Sequence, residues 1–364
     1  MIVQDAINYL EELAPLNYAE DFDNVGLLVG DNNTKLTGIL VTLDTLETVV
    51  DEAIENNCNL IVSFHPIIFS GLKKITGKTY VERVILKAIK HDIAIYAMHT
   101  ALDNSNLGVN HMICEKLNLV NRQILMPKQG TIKKLITYVP KDDAENVRQA
   151  LFEAGAGHIG NYSHCSFNTE GFGSFKGDEY SNPSKGKKGD LHFEEEVQVS
   201  MIFEKHLQSK VMKTLLEAHP YEEVAFDILT LDNTNPTIGM GMLGELEHDM
   251  EETQFLNHLK KIFKAGTVRH SSLLNKPIKK VAVLGGSGSF AIGAAIASGA
   301  DAYITADLKY HDFYKAENKI ILADIGHYES EQYTKNLIAA YLTKKITNFA
   351  IILSKINTNP IKYL

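Results

Sequence analysis

The stretch "IVSFHPIIFSG", residues 61–71, carries the reading from which the fold follows. Ile61 and Val62 open as a buried strand, and Pro66 stops it. Proline lacks the N–H a ladder needs and restricts the residue before it. His65 is thereby left where the strand leaves its sheet. Working outward, residues 2–14 read as a helix, followed by the loop "AEDFDNVGLLVGD", the strand "GILVTLD" (38–44) and the helix "TLETVVDEAIENN" (45–57). Beyond the strand 60–65 come a helix over 79–92, the strand "IAIYAMHT" (93–100) and a helix over 106–119. Strands separated by helices of this length predict a parallel sheet with right-handed crossovers.

The pattern changes near residue 127. "KKLITYVP", the helix "DDAENVRQALFEAG", a Gly/Ser/Asn-rich loop over 155–190, "EEVQVSMIFEK", the helix "LQSKVMKTLLEAH" and "EEVAFDILTL" predict a βαββαβ unit. That order is an α+β ferredoxin-like arrangement. The first pattern then resumes with "KKVAVLGGSGSF" (279–290), a small-residue helix, "DAYITADL" (301–308), a helical segment, "KIILADIG" (319–326), the helix "SEQYTKNLIAAYLTKK" and the strand "NFAIILS". The expectation is an α/β main domain in two βα-type halves, 1–126 and 236–364, interrupted by an insert over 127–235.

At 364 residues the chain is too long for one ordinary core, and 45% hydrophobic with 22% charged residues is a globular balance. A net charge of −9 argues against a non-specific grip on nucleic acid, which needs a basic face. "KGKKG" (185–189) is the one basic run and reads as a solvated loop. The N-terminal "MIVQDAINYLEELAPL" is an acidic amphipathic helix with no signal-peptide features. No apolar stretch reaches the ~18 residues a membrane span needs. Cys58, Cys114 and Cys165 lie in no CxxC spacing and read as reduced thiols of a cytoplasmic protein.

Ligands gather at the carboxyl ends of parallel strands. Four such ends here finish on His65, on His99 with Asp103, on Asp307, and on His327 with Glu331, all expected on one side of one sheet. His327 and Glu331 in "GHYESE" are four apart, so a helix starting there points both the same way; His99 and Asp103 in "HTALD" repeat the spacing. Imidazoles with carboxylates suit zinc, manganese or iron. Two other patterns are assigned no ligand. Gly286-x-Gly288-x-x-Ala291, with Asp307 some twenty residues on, matches a dinucleotide fingerprint, yet small residues at a strand–helix turn also serve close packing, and no second nucleotide half follows. "HPYEE" (219–223) reads as a structural turn.

The motifs "DFDNVGLLVGD", "VTLDTLETVVDEAI", "LIVSFHPIIFSGLKKI", "YAMHTALDNSNLGVN", "LGGSGSFAIGAAIASGADAYITADLKYHDFYKA" and "ADIGHYESE" resemble, in order, those of the NGG-interacting-factor-three family, often labelled GTP cyclohydrolase I type 2 homologs. The insert, with "AGAGHIGNY", "NPSKGKKG" and "HPYEEVAFDI", resembles the PII/CutA-like domain of longer members. The resemblance implies a dinuclear site at the join of the halves and a hexameric ring. His65 and Asp103 would hold one metal, His327 the other, and Glu331 would bridge them. Where the family has two adjacent histidines before the proline, Phe64 stands first here, so the second metal is expected to be water-rich or completed by His99. One or two divalent ions per chain, zinc foremost, would then support hydrolysis, with Glu331 in the site and His99 or His311 moving protons. The cyclohydrolase label points to a nucleotide substrate. The alternative is a non-catalytic metal-binding scaffold whose insert senses a small molecule or a partner.

Overall fold

The apolar runs ILVT, LIVS and AIYA form the strands Ile39–Thr42, Leu60–Ser63 and Ala94–Ala97, each buried along its whole length. Continuous rather than alternating hydrophobicity is what a strand covered on both faces requires. In the computed structural model, which describes residues 1–364, these three strands are parallel, with Leu60 opposite Ile39 and Ala94. The strand Ile351–Leu353, from the far end of the chain, extends the sheet in parallel beside Ile39–Val41. Gly26–Val29 adds an antiparallel edge against Ala97–Ile95.

A second sheet has the order Arg269–His270, Ile321–Asp324, Ala302–Ala306, Ile278–Ser287, Asn235–Met250, Val120–Lys128. Its three central strands are again parallel and its flanking strands Arg269–His270 and Asn235–Met250 antiparallel. The expectation of one parallel sheet is therefore corrected: there are two mixed sheets. One apolar cluster joins them, with Val41, Val62 and Tyr96 of the first sheet and Val281, Ile304 and Ala323 of the second packed around Met112, Ile338 and Leu342 from helices. The opposite face of the first sheet is closed by the helices Glu47–Glu55 and Tyr80–Lys90 through Val49, Val50, Val84 and Ile85. Thr79 caps the second of these, accepting from the Glu82 N–H.

The chain divides into two compact units, Met1–Pro127 with Pro236–Leu364, and Lys128–Asn235. The second unit runs βαββαβ, with sheet order Phe167–Phe175, His192–Glu204, Ile132–Pro140, Phe226–Leu231, every neighbouring pair antiparallel. Its helices Ala144–Glu153 and Gln208–Ala218 cover one face through Val147, Leu151, Val211 and Leu215 over Leu135, Val139, Val199 and Met201.

Two expected loops contain strands. Gly26–Val29 lies inside "AEDFDNVGLLVGD", and Phe167–Phe175 inside 155–190. Both are sheet edges, and the second is glycine-interrupted and mostly exposed, so neither shows buried periodicity. The expected strand over 93–100 ends at Ala97, and His99–Asp103 is a short helix. No helix is long and apolar enough to cross a membrane.

Candidate metal centre

Backbone pairing continues past Leu60–Ser63: Phe64 N–H donates to Thr42 O (3.2 Å) and His65 N–H to Leu43 O (2.9 Å), after which Pro66 has no donor. His65 is thus held at the carboxyl edge of the first sheet. Its Nδ1 lies 2.8 Å from Asp44 Oδ1 at the end of the neighbouring strand, and the Thr358 hydroxyl donates to the other Asp44 oxygen. On the second sheet the chain leaves Ile321–Asp324 through Gly326 into the helix His327–Glu331. His327 Nδ1 lies 2.7 Å from Asp307 Oδ2. Asp307 follows the strand Ala302–Ala306 with φ at +56°.

The two imidazoles meet. Their Nε2 atoms are 3.4 Å apart, and each lies 3.2 Å from Glu331 Oε2. Ligand atoms of His65, His327 and Glu331 all fall within 4.8 Å of one another. Glu331 is 4% exposed at its side chain, whereas the histidines keep 21% and 36%. With each Nδ1–H committed to an aspartate, each Nε2 directs a lone pair at the same point as the carboxylate. Three acceptors cannot share that space without protons or a cation between them.

The electrostatics agree. Burial opposes charge on His65, but the Glu331 carboxylate and the Asp44 hydrogen bond outweigh it and raise the imidazolium to about 10. For His327, burial is likewise outweighed, by Asp307 and Glu331, and the value rises to about 11. Burial would raise Glu331, yet the two imidazoliums pull it down to about 2. Free of metal, the cluster holds its protons on nitrogen.

Asp103, at the end of the helix His99–Asp103, keeps a buried Oδ1 with no hydrogen-bond partner. Burial first, and then the Glu331 charge, push its carboxyl well above the usual carboxylate range. Asn110 fastens this helix to the second sheet, donating to Asp103 O (3.2 Å) and accepting from Gly285 N–H (3.0 Å). The glycines of the supposed fingerprint serve the same join. Gly286 has φ at +68°, and a Cβ there would collide with Glu331 Oε1. Its N–H donates to Ser330 Oγ (3.0 Å), whose hydroxyl donates to His327 O (2.8 Å). The turn is shaped to let the helix carrying His327 and Glu331 approach.

His99 is the third histidine here. Its ring lies 5.3 Å from His65, and its Nδ1 is 2.8 Å from Asp23 Oδ1, leaving Nε2 without a partner. Asp23 also accepts from the Thr100 N–H and hydroxyl. Burial would raise Asp23, but His99 and Thr100 bring it down to about 2. Phe64 is fully buried, with its ring 4.9 Å from His65 and 5.7 Å from His99, and offers no ligand atom. His311 is exposed, in the 3-10 segment Tyr310–Ala316, with its ring against Tyr310 and Tyr314. Asp307, expected at the site as a strand-end acid, orients His327. The orienting roles of Asp23 and Asp44 were missed. Asp44 shared the strand-end signal that marks His65; Asp23 lies in the loop motif "DFDNVGLLVGD", where no spacing singles it out from its neighbouring acids.

Fold and site together define an α/β protein with two sheets whose carboxyl ends share a cluster of aspartate-oriented histidines and a buried glutamate. The chain belongs to the Duf34/NIF3 (NGG1p interacting factor 3) family, whose model matches residues 1–360. It is 39% identical to the GTP cyclohydrolase 1 type 2 homolog of Bacillus subtilis (strain 168), covering 99% of this chain and 98% of that protein. The namesake from Halalkalibacterium halodurans is 38% identical, with the same coverage of each. Among solved structures, a Bacillus cereus protein related to NIF3 superposes with a TM-score of 0.85 at 38% identity, covering 100% of this chain and 99% of that one.

Proposed function

We propose that the chain binds a divalent metal through His65, His327 and Glu331, with Asp103 as a further ligand, and that it is a metal-dependent hydrolase. The observation that carries this is the convergence of three acceptor atoms, two of them on imidazoles whose other nitrogen is tied to an aspartate. The buried Asp103 oxygen without a partner and the cradle that Gly286 leaves for Glu331 fit the same group. Zinc, manganese and iron all suit this donor set. When bound, such an ion supplies Lewis acidity and a hydroxide at neutral pH.

The chain's own residues do the rest. Asp44 and Asp307 fix the tautomer and rotation of the two imidazoles. His99, oriented by Asp23, presents Nε2 as the group that moves a proton to or from a substrate. Phe64 and Phe69, both against the His99 ring, give that nitrogen an apolar surround. The names of the relatives motivate a nucleotide as first substrate to test. A homo-oligomeric ring, hexameric by family resemblance, and a cytoplasmic location, to which the three free cysteines are suited, belong to the same proposal.

Metal-loaded protein screened against nucleotides, phosphoesters and ring amidines tests it. Turnover lost in Glu331→Ala and His99→Gln supports the hydrolase. No turnover with any metal favours the second reading, a metal-binding scaffold, which Phe64 motivates by placing a wholly apolar ring where a ligand would stand.

A further inference from the structure

In the unit Lys128–Asn235, helices cover one face of the sheet only. Strand alternation and register put Tyr138, Gln198, Glu196 and Gly171 on the other face, with Tyr138 and Thr169 both opposite Gln198 and Gly171 opposite Glu196. Over this face the segments 176–185 and 221–225 border an open cleft of about 980 Å³. Small-molecule sites span ~300–1,000 Å³.

The lining has a definite chemistry. Three aromatic side chains stand on this face, Tyr138, Phe175 and Tyr221, the last two in ring contact with centroids 5.6 Å apart. Its charged groups are five carboxylates against Lys176 and Lys185. Three of the five are occupied: Glu170 pairs with Lys141 (3.2 Å), Asp178 accepts from the backbone of Tyr180 and Ser181, and Glu222 accepts from Asn182 N–H. Glu196 differs. It is 9% exposed, its Oε1 accepts from Tyr221 OH (2.8 Å), and its Oε2 lies over Gly173 with no donor beside it. A Cβ at residue 173 would collide with that oxygen, so glycine is what lets the carboxylate lie on the floor of the cleft. At Gly171 the space above the strand is open, with no atom within 4 Å of a Cβ placed there.

A buried carboxylate with a free oxygen, beside aromatic side chains and an excess of negative charge, selects cations and repels phosphates. We propose that this cleft is a binding site for an organic cation, an ammonium or guanidinium on a small apolar body, with Glu196 as its counter-ion. All of its lining residues belong to the unit Lys128–Asn235, and none is a residue of the metal cluster. The "HPYEE" segment divides accordingly. His219 is structural, its Nε2 bonded to Tyr138 O at 3.0 Å, whereas Tyr221, Glu222 and Glu223 line the cleft.

Titration calorimetry of the full chain with agmatine, spermidine and, as the anionic arm, ATP tests this. The result expected is saturable binding of a cation, weakened at least tenfold in Glu196→Gln and abolished in Gly171→Leu, with both variants melting like the parent. Glu196→Gln keeps the shape and the Tyr221 acceptor but loses the charge; Gly171→Leu fills the floor at an unstrained position. The proposal is overturned if neither cation binds at about 10 mM, a concentration that reveals even millimolar sites. It is equally overturned if only ATP binds, or if either variant binds the cations as the parent does.

Discussion

His65 and His327 stand 262 positions apart in the chain, on different sheets, and bring their Nε2 atoms to 3.4 Å. Each is turned toward the other by an aspartate on its own sheet, Asp44 and Asp307. The site exists only because the apolar cluster between the sheets and the returning strand Ile351–Leu353 hold both halves in register.

The orienting aspartates should matter without touching a metal. Asp44→Asn and Asp307→Asn are each expected to weaken metal affinity by about 10–100-fold, the range for such partners. Competition with a chromophoric chelator measures it. Affinities within twofold of the parent would show that the aspartates do not set the imidazoles.

Metal uptake should displace protons. With His65 raised to about 10 and His327 to about 11, the metal-free cluster is protonated at neutral pH, and both nitrogens must be bared for a metal. Release of about two protons per site is expected at pH 7, read from calorimetry in buffers of different ionisation enthalpy. Affinity should fall as pH falls.

The same shifts have a stability consequence in metal-free protein. Folded values above the unfolded imidazole value of ~6.5 mean the cluster's stabilisation is fully present below ~6.5 and disappears as pH rises through 10 to 11. The melting temperature of chelator-treated protein should drop across that alkaline window more steeply than that of a His65→Gln/His327→Gln variant. Parallel curves would contradict the assigned pairing with Glu331.

Gly286→Ala forces an L-residue to φ +68° and drives a methyl into Glu331. A loss of about 1–3 kcal/mol in chemical denaturation is expected, together with weaker metal binding. Gly71→Ala, where a Cβ meets nothing, is the neutral control.

Phe64→His replaces a fully buried ring beside His65 and His99 with a polar one. Without metal the variant should be less stable than the parent, because an imidazole buried without a partner is costly. With zinc it should recover stability and gain bound metal, measured by melting and elemental analysis together. Loss of stability with no gain in metal would remove position 64 from the site.

The α/β class and the family were legible in the sequence because buried parallel strands and their strand-end motifs are local signals. "LIVS", "ILVT" and "AYITA" are short, mostly apolar strands buried along their whole length, and "GHYESE" sets His327 and Glu331 on one helical turn. The division into two sheets was not legible. Nothing local distinguishes a strand of one sheet from a strand of the other; the pairings sort them, among them the long-range one of Ile351–Leu353 with Ile39–Val41. The edge strand Gly26–Val29 escaped because its apolar run, GLLV, is only four residues long and lies inside a polar, loop-like stretch. Asp23 escaped for a related reason: its role lies in a bond to a residue 76 positions away.

The most direct test is the ion itself. In crystals of metal-replete protein, anomalous scattering at the metal edge should give a peak within bonding distance of Nε2 of His65, Nε2 of His327 and a Glu331 oxygen, absent in Glu331→Gln. No peak there, or one unchanged by that substitution, would contradict the account.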